Sequence, residues 1–245
     1  MVIERGDGRN HATLRSVNIE RSYLNTVPGS ALIKMGQTQV ICTVSWEDRV
    51  PPFLVGKGTG WLTAEYSMLP GSSNKRIARE TVGGRVNSRG REIQRLIGRS
   101  LRSVTDLHAL TPYTLRLDCD VIQADGGTRT AAISGVFVAH ILALRKLFSA
   151  GKLKRFPVKQ HLAAVSVGLV KNRTLLDLKY DEDSSAEVDM NVVMFEDGTF
   201  VEVQGTAEGQ TFSRTQLDNL LDLAEQGVLA HIAAQKQALG NSLQG

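Results

Sequence analysis

The sequence is poor in cysteine and histidine, which limits the chemistry open to it. Its 245 residues include two cysteines, Cys42 and Cys119, too few for a disulfide framework or a multi-cysteine zinc site. Both lie in apolar, strand-like runs, so we expect buried free thiols. The five histidines are dispersed without metal-ligand spacing. The sequence therefore gives no indication of a zinc site or of a serine hydrolase with a catalytic histidine.

The sequence also lacks long hydrophobic runs and a secretion signal. The longest nearly apolar stretch, from Ala131 to Leu144, has 14 residues, too few to span a bilayer. No apolar segment of the kind that directs secretion lies near the N-terminus. We therefore expect a cytoplasmic protein with no membrane partner. Neither repeats nor low-complexity linkers divide the chain, so we predict a single domain over residues 1–245 that frays after Leu239.

The spacing of apolar residues predicts a mixed α/β domain rather than a strictly alternating, doubly wound one. Helices are predicted over 88–110 and 130–149, and a last helix follows a capping box formed by Ser213 and Gln216. The predicted strands are 16–21, 30–35, 39–46, 60–66, 114–122, 162–170, 174–179, 187–195 and 200–204.

Basic residues are concentrated in one segment. From Lys75 to Arg102 there are nine basic and two acidic residues, whereas the net charge of the whole chain is +4. Eight of the nine are arginines, which suit bidentate phosphate contacts. This pattern favours an RNA or DNA partner, with Arg99 as one contact; a solvated helix face or a subunit interface is the alternative. The nine are Lys75, Arg76, Arg79, Arg85, Arg89, Arg91, Arg95, Arg99 and Arg102.

A glycine-rich turn between a predicted strand and a buried helix is the first candidate site. A helix N-terminus presents unpaired amide groups and a partial positive charge, and glycines let a ligand approach the backbone. Thr128 adds a hydroxyl and Arg129 a cation, so we predict a phosphate site; an N-capped turn with an incidental arginine is the alternative. The Gly-Lys-Ser/Thr ending of a Walker loop is absent. The segment is Asp125-Gly126-Gly127-Thr128-Arg129-Thr130.

Two carboxylates form the second candidate site. Asp183 ends an acidic run, and Asp189 follows six residues later in a segment that alternates apolar and polar side chains. An even spacing would place both on one face of a continuous strand. Two converging carboxylates suit a hard ion such as Mg²⁺. A solvated acidic segment at the start of a strand is the alternative.

Longer motifs are spread over almost the whole chain. They are RGDGR (5–9), GWLTAEYSMLP (60–70), EIQRLIGR (92–99), LDCDVIQADGGTRT (117–130), AEVDMNVVM (186–194) and EVQGTAEG (202–209). Taken together, they resemble the ribonuclease PH family of bacterial phosphate-dependent exoribonucleases. The resemblance implies a two-layer α/β fold like that of the second domain of ribosomal protein S5, with a mixed sheet packed on helices.

The resemblance also implies roles for individual residues. The attacking phosphate would be bound by Arg89 together with Gly127, Thr128 and Arg129. Paired aspartates that hold magnesium or assist proton transfer would be Asp183 and Asp189.

RNA contacts are implied for a loop that precedes the first helix. The residues that would make these RNA contacts are Arg76 and Arg79. Gly71 stands where the family often has a further arginine, so Lys75 would have to replace that contact.

The activity implied is phosphorolysis of RNA from its 3′ end, with tRNA precursors as substrates, Mg²⁺ as cofactor and inorganic phosphate as co-substrate. The products would be nucleoside diphosphates, and the reaction would be reversible. The resemblance also implies a homohexameric ring, a trimer of dimers. Two rival hypotheses are a non-catalytic ring subunit that binds RNA, and a hydrolytic nuclease that uses the same carboxylates and magnesium.

Overall fold

The first sheet has five strands and forms one half of the protein. The computed structural model describes residues 5–79, 88–209 and 211–244. The strand order is β1-β2-β3-β5-β4, and all neighbours are antiparallel except β4 and β5, which are parallel. Cys42 and Cys119 lie opposite each other as buried free thiols, as predicted. The strands are β1 (Val17–Arg21), β2 (Gly29–Met35), β3 (Thr38–Glu47), β4 (Trp61–Met68) and β5 (Thr114–Gln123).

The second sheet has four antiparallel strands in the order β7-β6-β8-β9. The predicted hairpin between β8 and β9 is confirmed, since the Phe195 amide donates to the Thr199 carbonyl at 2.9 Å. Gly198 takes a positive φ of 85° in that turn. The strands are β6 (Leu162–Val170), β7 (Arg173–Leu176), β8 (Val188–Phe195) and β9 (Phe200–Ala207).

One apolar helix packs against both sheets, so the predicted mixed α/β architecture is confirmed. This helix, α2, is long and apolar enough to span a membrane, but most of it is buried inside the protein. Its Phe137 shares one core with Ile33 of the first sheet and Val193 of the second. The helices are α1 (Ser88–Val104), α2 (Thr128–Ser149), α3 (Tyr180–Asp183) and α4 (Arg214–Leu239), with a 3-10 turn at Pro52–Leu54.

The last helix covers the other face of the second sheet. The predicted capping box is present, because the Gln216 amide donates to the Ser213 hydroxyl and the Ser213 amide donates to the Gln216 side chain. Val188 and Val192 of β8 pack in the same core as buried residues of α4. The alternation of a strand then directs Asp189 to the opposite face, toward α2.

Three predicted element ends were wrong by three residues or more, and one of them, the end of the strand that starts at residue 200, lies at Ala207 rather than at residue 204. The helix expected to reach residue 110 ends at Val104, because Thr105 forms a β-bridge with Val158 and the Asp106 carboxylate accepts from the amides of residues 108 and 109. The strand expected to reach residue 179 ends at Leu176, because Asp177 has a φ of 55°. The short helix α3 follows and was not predicted.

The C-terminal tail, for which the sequence predicts fraying after Leu239, makes contacts with α2. Arg145 of α2 donates through Nη2 to the Leu239 carbonyl and through Nε to the Leu243 carbonyl, both at 3.0 Å. Leu243 packs against the main core. These contacts hold residues 240–244 against the body of the protein.

Candidate active site

The glycine-rich turn forms an open helix N-terminus, as the sequence predicted. Gly126 and Gly127 take φ angles of 77° and 64°, which favour glycine. Gly127 is the N-cap of α2, and no side chain caps the helix. The first amide groups of a helix have no partner within it and carry its positive end. The turn therefore offers backbone donors and partial positive charge to an anion.

Side chains from other elements shape this turn. The Tyr66 hydroxyl of β4 donates to Thr128 Oγ1 at 2.8 Å. Nη1 of Arg129 donates to Glu92 Oε1 of α1 at 3.2 Å and to Gln204 Oε1 of β9 at 3.5 Å. These contacts hold the hydroxyl and the guanidinium next to the helix end.

Arg89 comes to the same site from the first turn of α1. Its side chain is exposed, and its charge acts on both Asp189 and Tyr66. Burial raises the pKa of Tyr66, while the positive charges of Arg89 and Arg129 oppose that rise. The phosphate-binding set predicted from the sequence is therefore brought together in space.

The two predicted aspartates also meet, although not along one strand. Asp183 is the last residue of α3, and Asp189 is the second residue of β8. Burial, and then the charge of Asp183, raises the pKa of Asp189 to about 6, against the opposing charges of Arg129 and Arg89. The charges of Asp183, Arg129 and Arg89 thus all act on Asp189.

A close backbone contact sets the distance between the turn and α3. A Cβ added to Gly126 would lie 2.6 Å from the Leu178 carbonyl oxygen and 2.8 Å from the Tyr180 nitrogen. No side chain fits that space, so glycine lets the backbones meet. The helix that carries Asp183 is packed directly against the proposed anion site.

The donor set of the carboxylate pair fits a divalent ion. Asp189 Oδ1 is buried and, within the described residues, has no hydrogen-bond partner. The described parts of the chain hold no group of three or more His, Cys, Asp or Glu side chains that could ligate a metal. A pair of carboxylates suits Mg²⁺, which keeps several waters and often completes its shell with substrate phosphates.

The arginines predicted to contact RNA lie in two different settings. Arg76 and Arg79 are exposed on the loop after β4. Arg99 of α1 forms an ion pair with Glu202 of β9, with Nε 2.9 Å from Oε2. Arg85 falls outside the described residues.

A surface cavity runs along the exposed side of α1. Its volume is about 370 Å³, and it is lined by Ser88, Arg91, Glu92, Arg95 and Arg99. Arg102 lies apart from it, 5.0 Å from the ring centre of Trp61, and donates to the Leu62 carbonyl. The basic residues of α1 therefore lie in two settings: Arg91, Arg95 and Arg99 line the cavity, whereas Arg102 makes a structural contact.

Sequence reasoning missed the residues that hold the predicted ones. Tyr66, Glu92 and Gln204 each lie within a recognised motif, but nothing local marks them as partners of residues 128 and 129. Their separations along the chain are 62, 37 and 75 residues, so only the fold reveals the contacts.

Comparisons with known proteins identify the family to which the chain belongs. Residues 13–145 match the 3′ exoribonuclease family, domain 1, and residues 162–227 match domain 2 of the same family. Ribonuclease PH of Bacillus mycoides (strain KBAB4) is 56% identical over 238 residues, with 97% of each chain covered. Ribonuclease PH of Bacillus cereus (strain AH187) gives the same identity and coverage.

Solved structures share the fold at lower sequence identity. A chain of the Archaeoglobus fulgidus exosome with RNA bound to the active site has a TM-score of 0.78 and 22% identity, covering 94% of this chain and 92% of that one. Rice Rrp46 has a TM-score of 0.76 and 18% identity, covering 98% of this chain and 100% of that one.

Proposed function

Because the chain belongs to the ribonuclease PH family of 3′ exoribonucleases, we propose that its open helix N-terminus and two arginines bind the phosphate that attacks RNA. The resemblance read from the sequence is confirmed, and so is the activity it implied. The protein is a phosphorolytic 3′-to-5′ exoribonuclease acting on tRNA precursors, a nucleotidyltransferase with phosphate as co-substrate.

The phosphate site is formed by Arg89, Gly127, Thr128 and Arg129. The observation that carries this assignment is the uncapped N-terminus of α2, with the Arg129 guanidinium beside it. Backbone amides, a hydroxyl and two guanidinium groups together match the acceptors of a phosphate ion. Phosphate would replace the weak contact between Arg129 and Gln204, which is 3.5 Å long.

Asp183 and Asp189 are proposed as the residues that hold Mg²⁺. Oδ1 of Asp189, which is buried and has no hydrogen-bond partner among the described residues, supports this assignment. Bound there, Mg²⁺ would offset negative charge on the transferring phosphoryl group.

The residues of the chain then align the reacting groups. The helix end and the arginines orient one phosphate oxygen toward the phosphorus of the last internucleotide linkage. A new P–O bond forms as the bond between the phosphorus and the 3′ oxygen of the preceding nucleotide breaks. The proton of the attacking hydrogenphosphate balances the charge on that oxygen, so a nucleoside diphosphate and an RNA ending in a 3′ hydroxyl are released. The linkage energy is largely retained in the product, so excess diphosphate drives chain extension.

The family forms rings and acts on RNA, and we propose a cytoplasmic homohexamer built as a trimer of dimers, with one domain per chain. A core shared by both sheets supports the single domain. Single-stranded 3′ tails would contact Arg76 and Arg79, whose side chains are exposed. Arg99 would join them when its pair with Glu202 opens.

The test is nucleotide release from a 3′-extended RNA with Mg²⁺, with and without phosphate. The wild-type protein should release diphosphates in the presence of phosphate, and Arg129→Ala should lose at least ~100-fold in rate. Arg155→Ala, which removes an exposed arginine paired with Asp106, is the matched control and should keep full activity.

Each of the other outcomes would contradict part of this proposal. Monophosphates made without phosphate would mean a hydrolytic nuclease. RNA that stays bound without release would mean a non-catalytic subunit. An undiminished rate in Arg129→Ala would remove this arginine from the phosphate site.

A further inference from the structure

A buried ion pair joins the N-terminal segment to the chain just before α3. The side chains of Arg15 and Asp177 are 6% and 1% exposed. Arg15 Nη2 donates to Asp177 Oδ1 at 2.6 Å and Nε donates to Oδ2 at 2.9 Å, so the contact is bidentate. The Arg15 amide also donates to Oδ2, at 2.8 Å. The carboxylate fixes both the position and the orientation of the guanidinium.

The free edge of the same guanidinium points to the glycine-rich turn. Nη1 donates to the Asp125 carbonyl, and Nη2 lies 3.5 Å from the Gly126 carbonyl oxygen and 3.4 Å from that of Leu178. One planar group thus contacts both the backbone of the turn and the backbone that leads into α3. Arginine can do this because its five donors lie in a rigid fork.

The side chain of Thr38 also holds the backbone of the turn. Its hydroxyl donates to the Gly126 carbonyl at 2.7 Å and accepts from the Asp125 amide at 2.9 Å. Thr38 is fully buried at the start of β3. The backbone of residues 125 and 126 is therefore fixed by two side chains, and this pair of contacts, from Arg15 and Thr38, is called the turn clamp below.

Stability alone does not account for an arginine at this place. A buried ion pair is often no better for stability than well-packed apolar side chains of similar volume. Its special property is directional, because bidentate contacts set two backbone segments at a fixed distance and angle. The segments it joins carry the proposed phosphate site on one side and Asp183 on the other.

We propose that Arg15 and Thr38 are positioning residues for phosphorolysis: the turn clamp holds bound phosphate in register with the RNA linkage beside Asp183 and Asp189. The inference rests on the proposed function. A shift of the turn by a fraction of an ångström would misalign the attacking oxygen, and a misplacement of 1 Å costs about 100-fold in rate.

The test distinguishes an effect on the use of phosphate from an effect on the binding of RNA. Thr38→Val removes the hydroxyl with little change of shape, and Thr38→Ser keeps it. Arg15→Lys keeps the charge and loses the fork. We expect Thr38→Val and Arg15→Lys to lower kcat/KM for phosphate about tenfold or more, with an unchanged KM for RNA. Thr38→Ser should restore most of the wild-type value.

The matched control is Arg145→Lys. Arg145 also donates to backbone carbonyls, but near the C-terminal end of α2, about 24 Å along the helix from Arg129. It should leave both KM values unchanged. Phosphate affinity is measured by calorimetry in parallel, so the turn clamp is tested even if the wild-type protein releases no diphosphate.

Two results would overturn the inference. One is wild-type phosphate affinity and kcat in both Thr38→Val and Arg15→Lys. The other is an equal loss of phosphate and RNA affinity that Thr38→Ser does not restore, which is the mark of general structural damage. Failure of the proposed function looks different, because the wild-type protein itself would release no diphosphate.

Discussion

Replacing Asp189 by asparagine should make the protein more stable while it loses activity. The Asp189 carboxylate is partly buried next to Asp183, and its pKa is raised from 3.8 to about 6, first by burial and then by the charge of Asp183. Near neutral pH the folded protein therefore holds a charge that its surroundings disfavour. The asparagine side chain would have nearly the same shape without that charge.

The size of the expected stabilisation follows from the shift in the pKa of Asp189. Roughly two pKa units at about 1.4 kcal/mol each make the ionised carboxylate about 2 to 3 kcal/mol less favourable in the folded than in the unfolded state. Well below pH 3.8 both states hold the proton and this penalty is absent. As pH rises through 6, the folded state must release a proton that the unfolded state has already lost, so the wild-type protein loses this stability.

The assay is urea unfolding of wild-type protein and Asp189→Asn at pH 4, 6 and 8, at one protein concentration and without phosphate or divalent ions. Asp189→Asn should exceed the wild type by only about 0.5 kcal/mol at pH 4 and by about 2 kcal/mol or more at pH 8. Asp197→Asn is the control, because hydrogen bonds from Thr199 lower the pKa of Asp197, and it should not stabilise at pH 8. An Asp189→Asn protein no more stable than wild type at pH 8 would refute the argument.

Two further substitutions test the packing of the site. Tyr66→Phe removes the donor to Thr128 Oγ1 and should cost about 1 kcal/mol in urea unfolding, with a severalfold higher KM for phosphate. Gly126→Ala brings a Cβ to 2.6 Å from the Leu178 oxygen at a positive φ, and should destabilise by about 2 kcal/mol or more and lower kcat. Gly8→Ala is its control, since Gly8 has a similar φ of 79°, and a Cβ added there would meet no atom of the described residues within 4 Å apart from its chain neighbours. An equal cost at both positions would contradict the packing argument.

The sequence predicted those parts of the fold that depend on local patterns. The alternation after residue 187 placed Asp189 opposite the apolar face of its strand, and the Ser213 and Gln216 pair marked the start of the last helix. The local pattern gave the wrong boundary where tertiary contacts determine the end of an element. The apolar period carried the first helix too far, because a β-bridge at Thr105 and the Asp106 carboxylate end it.

The sequence predicted which residues form the candidate site, but not how the fold arranges them in space. The glycine-rich turn indicates an anion site by itself, since its chemistry lies in six consecutive residues. The aspartates were placed together on the assumption of one strand, whereas α3 and a turn bring them together. Arg15 lies in no recognised motif, and its partner Asp177 is 162 residues away, so the turn clamp had no local signal.

That separation has a consequence for the newly made chain. At roughly 5–20 residues per second, synthesis reaches Asp177 some 10–30 s after Arg15. During that time both residues of the turn clamp and the arginines of α1 have already been made, but Arg15 lacks the Asp177 carboxylate that fixes its orientation, and neither proposed metal-binding aspartate exists yet. A chain interrupted before Asp177 therefore lacks the anchor of Arg15 and both proposed carboxylates, and the proposed site is complete only after the first residues of β8 have been made.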